Sequence, residues 1–430
     1  MELNTEPEVL IIGAGVFGIS TAHHLAKRSP NPSSITILDR APPPSGDAAS
    51  TDINKIVRAD YSSPIYMDLA FEAIEAWKNN HLFANVGVYH QSGWIAMNER
   101  GSDLAERIRH NFKTSGRPDP TRDMTEEEVR RSWGGILKDA NMDAFESYYF
   151  NPSAGWADAG SAVKIMAEEA IRLGVQYKVG KARRLVLDDH GVKGVQTSTG
   201  EIYTAKKIVL ATGAWTSQLM VSTEDDLEMT GKARMESQLT AAGICVAHFQ
   251  LSPQERSLYD QLPVYVYGEE GEAFPPTASG LLKFTNTASF KNTIQTESGH
   301  TISVPPPKDQ RDVPEALRRE FLESIRGRLP QLFTQDRQVN YYRLCWDAIT
   351  PEQHPLITQH PHPQLPNLYL AVGGSFHCWK FLPTVGHYVA NVVHGVGNGA
   401  DRDKIWGWKE EQQGRGVHDS LIPDRELRDY

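Results

Sequence analysis

Four consecutive apolar residues, Val9 to Ile12, give the pattern of a strand buried on both faces, and a glycine turn follows. The next stretch, VFGISTAHHLAKR, repeats Val, Ile, Ala and Leu at helical spacing. SSITILDR, residues 33 to 40, predicts a second strand, with RSPNPSS as a long helix-to-strand loop before it. Residues 154 to 180 predict a loop, an amphipathic helix and a strand. Residues 181 to 215 predict strands with turns at DDHG and STG, closing on a buried strand that runs into Ala211, Thr212 and Gly213. Elsewhere the period shifts towards two. GVYHQSGWIAMN, LPVYVYG and GLLKFTN alternate in the manner of an antiparallel sheet.

The turn after the first strand carries chemistry. Gly13, Gly15 and Gly18 form G-x-G-x-x-G between a strand and a helix, the context that this motif requires. Gly13 permits the tight turn, Gly15 leaves room for a pyrophosphate, and Gly18 lets strand and helix pack closely, so that the helix N-terminus faces an anion. Asp39, at the end of the second strand, is placed to accept hydrogen bonds from an adenosine ribose. NAD and FAD both use this arrangement, so the motif alone does not choose between them. The expected fold is α/β: a Rossmann-like dinucleotide-binding domain from residues 1–80, 150–217 and 340–398, interleaved with an α+β substrate domain from 81–149 and 218–339 that contains a mostly antiparallel sheet. The polar stretch 399–430, with isolated tryptophans, is expected to wrap the surface as a C-terminal tail.

Composition narrows the function. At 430 residues, 40% hydrophobic and 23% charged, the chain has globular values and room for two joined domains, and no apolar run is long enough to span a bilayer. A net charge of -10 without a basic, aromatic-rich stripe gives no affinity for nucleic acid. Cys245, Cys345 and Cys378 are odd in number and far apart, which fits a reducing compartment and offers neither a disulfide framework nor zinc spacing. The N-terminal residues lack the pattern of a secretory signal and the C-terminal ones lack S-K-L, so a cytoplasmic protein is expected.

The Ala211-Thr212-Gly213 exit resembles that of flavoprotein oxidoreductases of the D-amino acid oxidase type. Four separated motifs make the likeness specific: GAGVFGIS; ASTDINKIVRADYSSPIYMDLA (49 to 70); GLLKFTN (280 to 286); and LCWDAITPEQHPLITQHP with LYLAVGGSFHCWKFLPTVGHYV (344 to 389). On these the chain resembles the monomeric sarcosine oxidase and fructosyl amine oxidase (amadoriase) family, with its saccharopine and pipecolate oxidase relatives, over roughly residues 8 to 395.

The resemblance implies FAD tethered through a cysteine thioether at Cys345, whose thiolate Arg343 is suited to activate; the alternatives are an inert thiol at Cys345 or a tether at Cys378. It implies further cofactor contacts from Val16 and Phe17, Arg40, Lys55 and Ile56, Trp215, Gly374, Phe376 and Lys380, beside Gly13, Gly15, Gly18, Asp39, Ala211 and Gly213. Lys283 matches the lysine that promotes reduction of dioxygen, where a fixed charge stabilises the developing anion; the plainer reading is a solvated strand lysine. Lys380 matches the lysine that pairs with the substrate carboxylate, and His377 would orient an amine or remain a satisfied polar residue. Substrate contacts are expected from Arg58, Tyr61, Trp94, Tyr267, Thr287, Asp347, Phe376 and Lys380, with Tyr265, Trp346 and Trp379 as further aromatic candidates. Lys55 and Arg58 have an alternative in pairing with Asp52 or Asp60.

The implied reaction passes a hydride equivalent from a secondary-amine amino acid to the flavin and its electrons to dioxygen, giving an imine or iminium ion and hydrogen peroxide. Two departures count against a glycated substrate. Thr287 stands where fructosyl amine oxidases carry a glutamate that engages the amine, and WGWKEE offers Lys409 in place of a carboxylate-gripping arginine. An N-methyl or other N-alkyl amino acid is therefore expected, including those of secondary metabolism, acted on by a monomer. A fructosyl amino acid oxidase, a saccharopine or pipecolate oxidase, a flavin dehydrogenase using another acceptor, and a non-catalytic nucleotide binder remain the other readings.

Overall fold

The computed structural model describes residues 6–333, 337–410 and 423–430. The strand Val9–Ile12 lies inside a six-stranded sheet, flanked by Lys207–Leu210 and Ile35–Asp39, with Gln176–Val179 beyond one and Leu368–Val372 and Leu356–Gln359 beyond the other. These pairings are parallel except the last, Leu356–Gln359 against Leu368–Val372. Both faces are covered, which is why the strand reads as a continuous apolar run. Val9 and Ile11 enter a core with the helices Val16–Arg28 and Ala159–Arg172, while Leu10 and Ile12 enter another with Leu185, Val192 and Val195 of a three-stranded antiparallel sheet.

The second large sheet has ten strands, and its pairings are antiparallel apart from Val264–Tyr267 with Trp94–Glu99 and Phe290–Lys291 with Arg425–Glu426. At its centre the long strand Thr240–Gln250 pairs with both Leu281–Thr285 and Tyr341–Ile349. Mixed parallel and antiparallel sheets thus give the α/β and α+β combination expected from the sequence.

Two placements differ from the expected boundaries. Tyr341–Ile349 belongs to the second sheet, paired from Thr240↔Ile349 to His248↔Tyr341, so residues 340–349 do not extend the parallel sheet. The stretch 399–430 is also more than a surface tail where it is described. Ala400–Trp406 is a helix whose Trp406 is buried against Tyr388 at a ring distance of 5.4 Å, and Arg425–Glu426 adds an edge strand. An indole gains more by burial than by lying on a surface. The part of that tail at 411–422 lies outside the described residues.

Candidate active site

The glycine turn closes only because side chains are absent. Gly13 has a φ of +104°, and a Cβ there would stand 2.4 Å from the Ala211 carbonyl oxygen. One on Gly18 would lie 1.8 Å from the Gly13 carbonyl oxygen. Gly18→Ala is therefore expected to cost about 3 kcal/mol or more. Thermal unfolding and the flavin-to-protein ratio measure this, and an unchanged melting temperature would remove the account. Gly15 leaves its backbone open, with Ser50 Oγ 3.1 Å from where a Cβ would be. That hydroxyl accepts the Val16 N–H at 2.8 Å, at the first turn of the helix. Asp39 accepts the Ala14 N–H at 2.7 Å, which ties the end of its strand to the turn.

In front of the turn lies a cavity of about 500 Å³. Gly13, Gly15, Val16, Phe17, Asp39 and Arg40 line it, and Arg40 stacks on Trp215 at 4.0 Å. Ala211, Gly213 and Trp215 line it too, as do Lys55, Cys345, Trp346, Gly374 and Phe376. Gly18 acts behind it, in the turn. Ile56 and Lys380, expected as cofactor contacts, line a second cavity instead.

Cys345 is 3% exposed, on the strand Tyr341–Ile349 opposite Ile244, with the cavity before it. Burial pushes the thiols of Cys245 and Cys378 up, and neither lines this cavity. Arg343 is committed elsewhere: its guanidinium donates to the carbonyls of Gly46 at 3.0 Å, Ala48 at 3.1 Å and Thr51, holding that loop. Lys55 is the cation that feels Cys345. Burial pulls its ammonium down, but Cys345, Asp52 and Asp347 outweigh that and hold it above its usual range. Lys55 also lies 3.8 Å from Asp52, as the alternative reading had it.

Asp347, expected as a substrate contact, does not line the second cavity. It lines the first, and its carboxylate accepts the N–H groups of Ala348 at 2.8 Å and Phe376 at 2.9 Å. Burial raises its carboxyl above the usual range despite these bonds. The second bond pins a strained loop, in which Ser375 and Phe376 have φ values of +48° and +59° without being glycine.

This loop helps to separate the first cavity from a second of about 490 Å³; Lys55, Phe376 and Trp379 line both. One face of the large sheet forms its floor, where Trp94, Ala96, Val266, Glu272, Phe274, Lys283 and Thr285 come together. Strand alternation places Tyr265 and Tyr267 on the opposite face, so neither lines the cavity. Tyr267 donates its hydroxyl to the Asn141 carbonyl and packs on Phe145, which corrects its expected role in substrate binding.

Lys380 and Arg58 supply positive charge. Lys380 Nζ donates to the Tyr61 hydroxyl and the His377 carbonyl, each at 2.7 Å; burial first, then the Arg58 charge, lowers it to about 7. Tyr61 stands behind this pair rather than on the cavity wall. Arg58 lies over Trp94 at 4.7 Å and donates to the Asp60 carbonyl, while its buried Nε has no hydrogen-bond partner. The Asp60 carboxylate turns away to Tyr149 at 2.7 Å and Asn151 at 2.9 Å. His377 is lowered to about 3, by burial and then by Lys380, and its Nε2 meets the Gln353 carbonyl at 2.8 Å. It is a neutral, anchored imidazole.

Lys283 is 1% exposed; its Nζ donates to Asp52 at 2.8 Å and to the Asn54 carbonyl at 2.5 Å. Burial lowers its ammonium, and Asp52 opposes that shift. His248, directly across the strand from Lys283, lies 3.8 Å from Asp52. Thr287 lines the cavity, its hydroxyl donating to the Glu269 carbonyl. Lys409 pairs with Glu352 at 3.9 Å, outside this cavity. Sequence reasoning missed Ser50, His248 and Glu272. Ser50 lies within a quoted motif, whereas His248 and Glu272 emerge only from strand register.

A glycine cradle for a dinucleotide, a cavity wall carrying one cysteine, and an adjoining cationic chamber define a flavoprotein oxidoreductase. The chain matches the family model "FAD dependent oxidoreductase" over residues 8–392 and belongs to that family. It is 30% identical to the L-saccharopine oxidase of Schizosaccharomyces pombe, over 98% of this chain and 97% of that protein. It is 22% identical to the monomeric sarcosine oxidase of an Arthrobacter species, over 91% and 94%. Among solved structures, the fructosamine oxidase Amadoriase II of Aspergillus fumigatus superposes with a TM-score of 0.78 at 29% identity, covering 94% of this chain and 90% of that one.

Proposed function

We propose that this FAD-dependent oxidoreductase oxidises a carboxylate-bearing secondary amine, an N-methyl or N-alkyl amino acid, with dioxygen as acceptor. The observation that carries the reading is the junction of the two chambers at Lys55, Phe376 and Trp379, with Cys345 on the wall of one and Arg58, Lys380 and Lys283 in the other. Gly13, Gly15 and Asp39 would hold the dinucleotide, and Cys345 would carry the thioether to the flavin. When bound, FAD accepts a hydride equivalent from the substrate carbon and passes the electrons to dioxygen, leaving an imine or iminium product and hydrogen peroxide.

The chain's own residues bind and orient. Arg58 and Lys380 hold the substrate carboxylate. Trp94, Phe376 and Trp379 exclude water from the reacting carbon. The amine enters neutral, so no strong protein base is called for; His377 keeps the Tyr61 and Lys380 groups in place. Lys283 provides fixed positive charge for the reduction of dioxygen. A second reading is an amino acid with a long second arm, as in saccharopine. The cavity of about 490 Å³ and the 30% identity to L-saccharopine oxidase support it. A monomer acting in the cytoplasm completes the proposal; among the described residues no helix is long and apolar enough to cross a membrane.

The test is chemical. Acid-denatured protein should remain yellow, and Cys345→Ala should release its flavin to the supernatant. Anaerobic addition of an N-alkyl amino acid should bleach the flavin, and air should restore it within seconds. Release of flavin from the parent protein would rule out the tether. Bleaching that air does not reverse would point to a dehydrogenase with another acceptor.

A further inference from the structure

Three groups stand in line behind Lys380, and their donors and acceptors leave little freedom. The Gln353 carbonyl meets His377 Nε2 at 2.8 Å. A carbonyl only accepts, so Nε2 carries the imidazole proton and Nδ1 of the neutral ring is left bare. The Tyr61 hydroxyl lies 3.2 Å from that Nδ1 and points its one proton there. Its oxygen is thereby free to accept from Lys380 Nζ at 2.7 Å. The other place for the Tyr61 proton, the His377 carbonyl at 3.4 Å, already takes Lys380 at 2.7 Å.

The line starts from a strained turn. Gln353 is fully buried and has a φ of +59° without being glycine. Its N–H donates to the Thr350 carbonyl at 2.9 Å, and the Thr350 hydroxyl donates to the His354 carbonyl at 2.6 Å. On the other side His354 Nδ1 meets the Tyr66 hydroxyl at 2.8 Å, and the Tyr66 ring stands edge-on to His377 at 4.9 Å. Strain of this kind persists where the surroundings overdetermine it, and here it directs one carbonyl at one imidazole. Lys380 gains two acceptors from the array. Among the described residues they occupy two of its three ammonium N–H groups, which leaves one for a ligand in the second cavity.

We propose that Gln353, His377 and Tyr61 act in series as positioning residues for Lys380. The Gln353 carbonyl fixes the imidazole tautomer, the tautomer fixes the direction of the Tyr61 hydroxyl, and the hydroxyl oxygen holds Lys380 with one N–H toward the substrate carboxylate. This rests on the reading of Lys380 as the carboxylate anchor. Both neighbours of Nζ in the array are acceptors, and acceptors favour an ammonium over an amine. The array thus keeps a charge available where burial alone would remove it. The opposite tautomer would direct an N–H at the Tyr61 oxygen and swing the hydroxyl proton toward Lys380. Burial raises the Tyr61 phenol above its usual range, so its proton stays in the array. Other groups face the same ammonium: Arg58 and Lys55 oppose its charge, while the Cys378 thiol and Glu272 favour it.

The experiment is a pH profile of binding rather than of turnover. Methoxyacetate, ionised throughout, is titrated calorimetrically into the holoenzyme from about pH 5.5 to about pH 9, across the Lys380 transition. In Tyr61→Phe, which keeps the ring contacts to Tyr66 at 5.7 Å and Phe381 at 6.3 Å, the transition should fall by about one pH unit. His377→Leu should move it in the same direction although it removes no charge, and the double variant should go no further than Tyr61→Phe alone. The flavin-to-protein ratio reports whether each variant folds. A Tyr61→Phe profile that matches the parent's overturns the proposal, as does a His377→Leu effect that adds in full to that of Tyr61→Phe. In either case the anchor itself stands if Lys380→Met abolishes the transition. If Lys380→Met retains it, the anchor reading has failed, and the proposal falls with it.

Discussion

Replacing Lys283 with methionine is expected to slow reoxidation of the reduced protein by dioxygen about 100- to 1000-fold, as removal of a preorganised charge does elsewhere. Anaerobic reduction by substrate should change by no more than about threefold, since a group that acts only on the oxygen step leaves the first half-reaction alone. The asymmetry follows from where the ammonium stands. It is buried on the sheet floor, 4.2 Å from the centre of the Phe274 ring and held by Asp52 and the Asn54 carbonyl, where little water screens its field. The obvious confusion is structural damage, because the substitution removes a buried ion-pair partner from Asp52. That carboxylate keeps Lys55 at 3.8 Å, so the site retains positive charge beside it. Stopped-flow measurement of the two half-reactions on protein of full flavin content decides the matter. Equal slowing of both would make Lys283 a structural partner of Asp52, with no separate part in oxygen reduction.

Lys380→Met is expected to lower kcat/KM for the carboxylate-bearing amine by about 2 to 4 kcal/mol, roughly 30- to 1000-fold, as for loss of one member of a buried charge-assisted pair. The ammonium also gives this site a pH signature. Burial and the Arg58 charge lower Lys380 to about 7, so in the free protein it is charged below that pH and progressively neutral above it. A simple carboxylate that does not titrate in this range should bind best at the acid end. It should weaken by up to about tenfold for each pH unit above the transition. Binding itself favours the ammonium form, so in the complex the transition moves up. In Lys380→Met this dependence should flatten. A slope that persists unchanged in the variant would assign the pH dependence to another group and deprive Lys380 of its anchoring role.

Parts of the site were legible because they are local. The roles of Gly13 and Gly18 follow from a strand, a turn and a helix that are contiguous in sequence, and close approach to Ala211 and to the Gly13 carbonyl is what those glycines permit. The expectation for Cys345 had another source: no spacing marks it, and only likeness to a family singled it out. Two expectations met other geometry: strand parity turns Tyr267, expected at the substrate, into the core, and the loop at Phe376 claims the carboxylate of Asp347, expected there too. A change of one residue in parity reverses the face that a side chain occupies. Arg343, next but one to Cys345, is a natural activator when sequence distance is all that is known. The fold spends it on carbonyls of the 46–51 loop, while Lys55, distant in sequence, lines the same cavity as Cys345.

Hydrophobic periodicity and the glycine pattern by themselves determined the two kinds of sheet, the buried first strand and the dinucleotide turn. Each depends on residues within a few positions of one another, whose preferences act before any distant contact forms. Tertiary structure alone decided which sheet carries Cys345, how Lys283 comes to face Asp52 and His248, and that Glu272 of Gly271–Phe274 lines the second cavity. Those outcomes depend on strand order and register, which arise when distant segments compete to bury their apolar faces together. No short stretch of sequence records that competition.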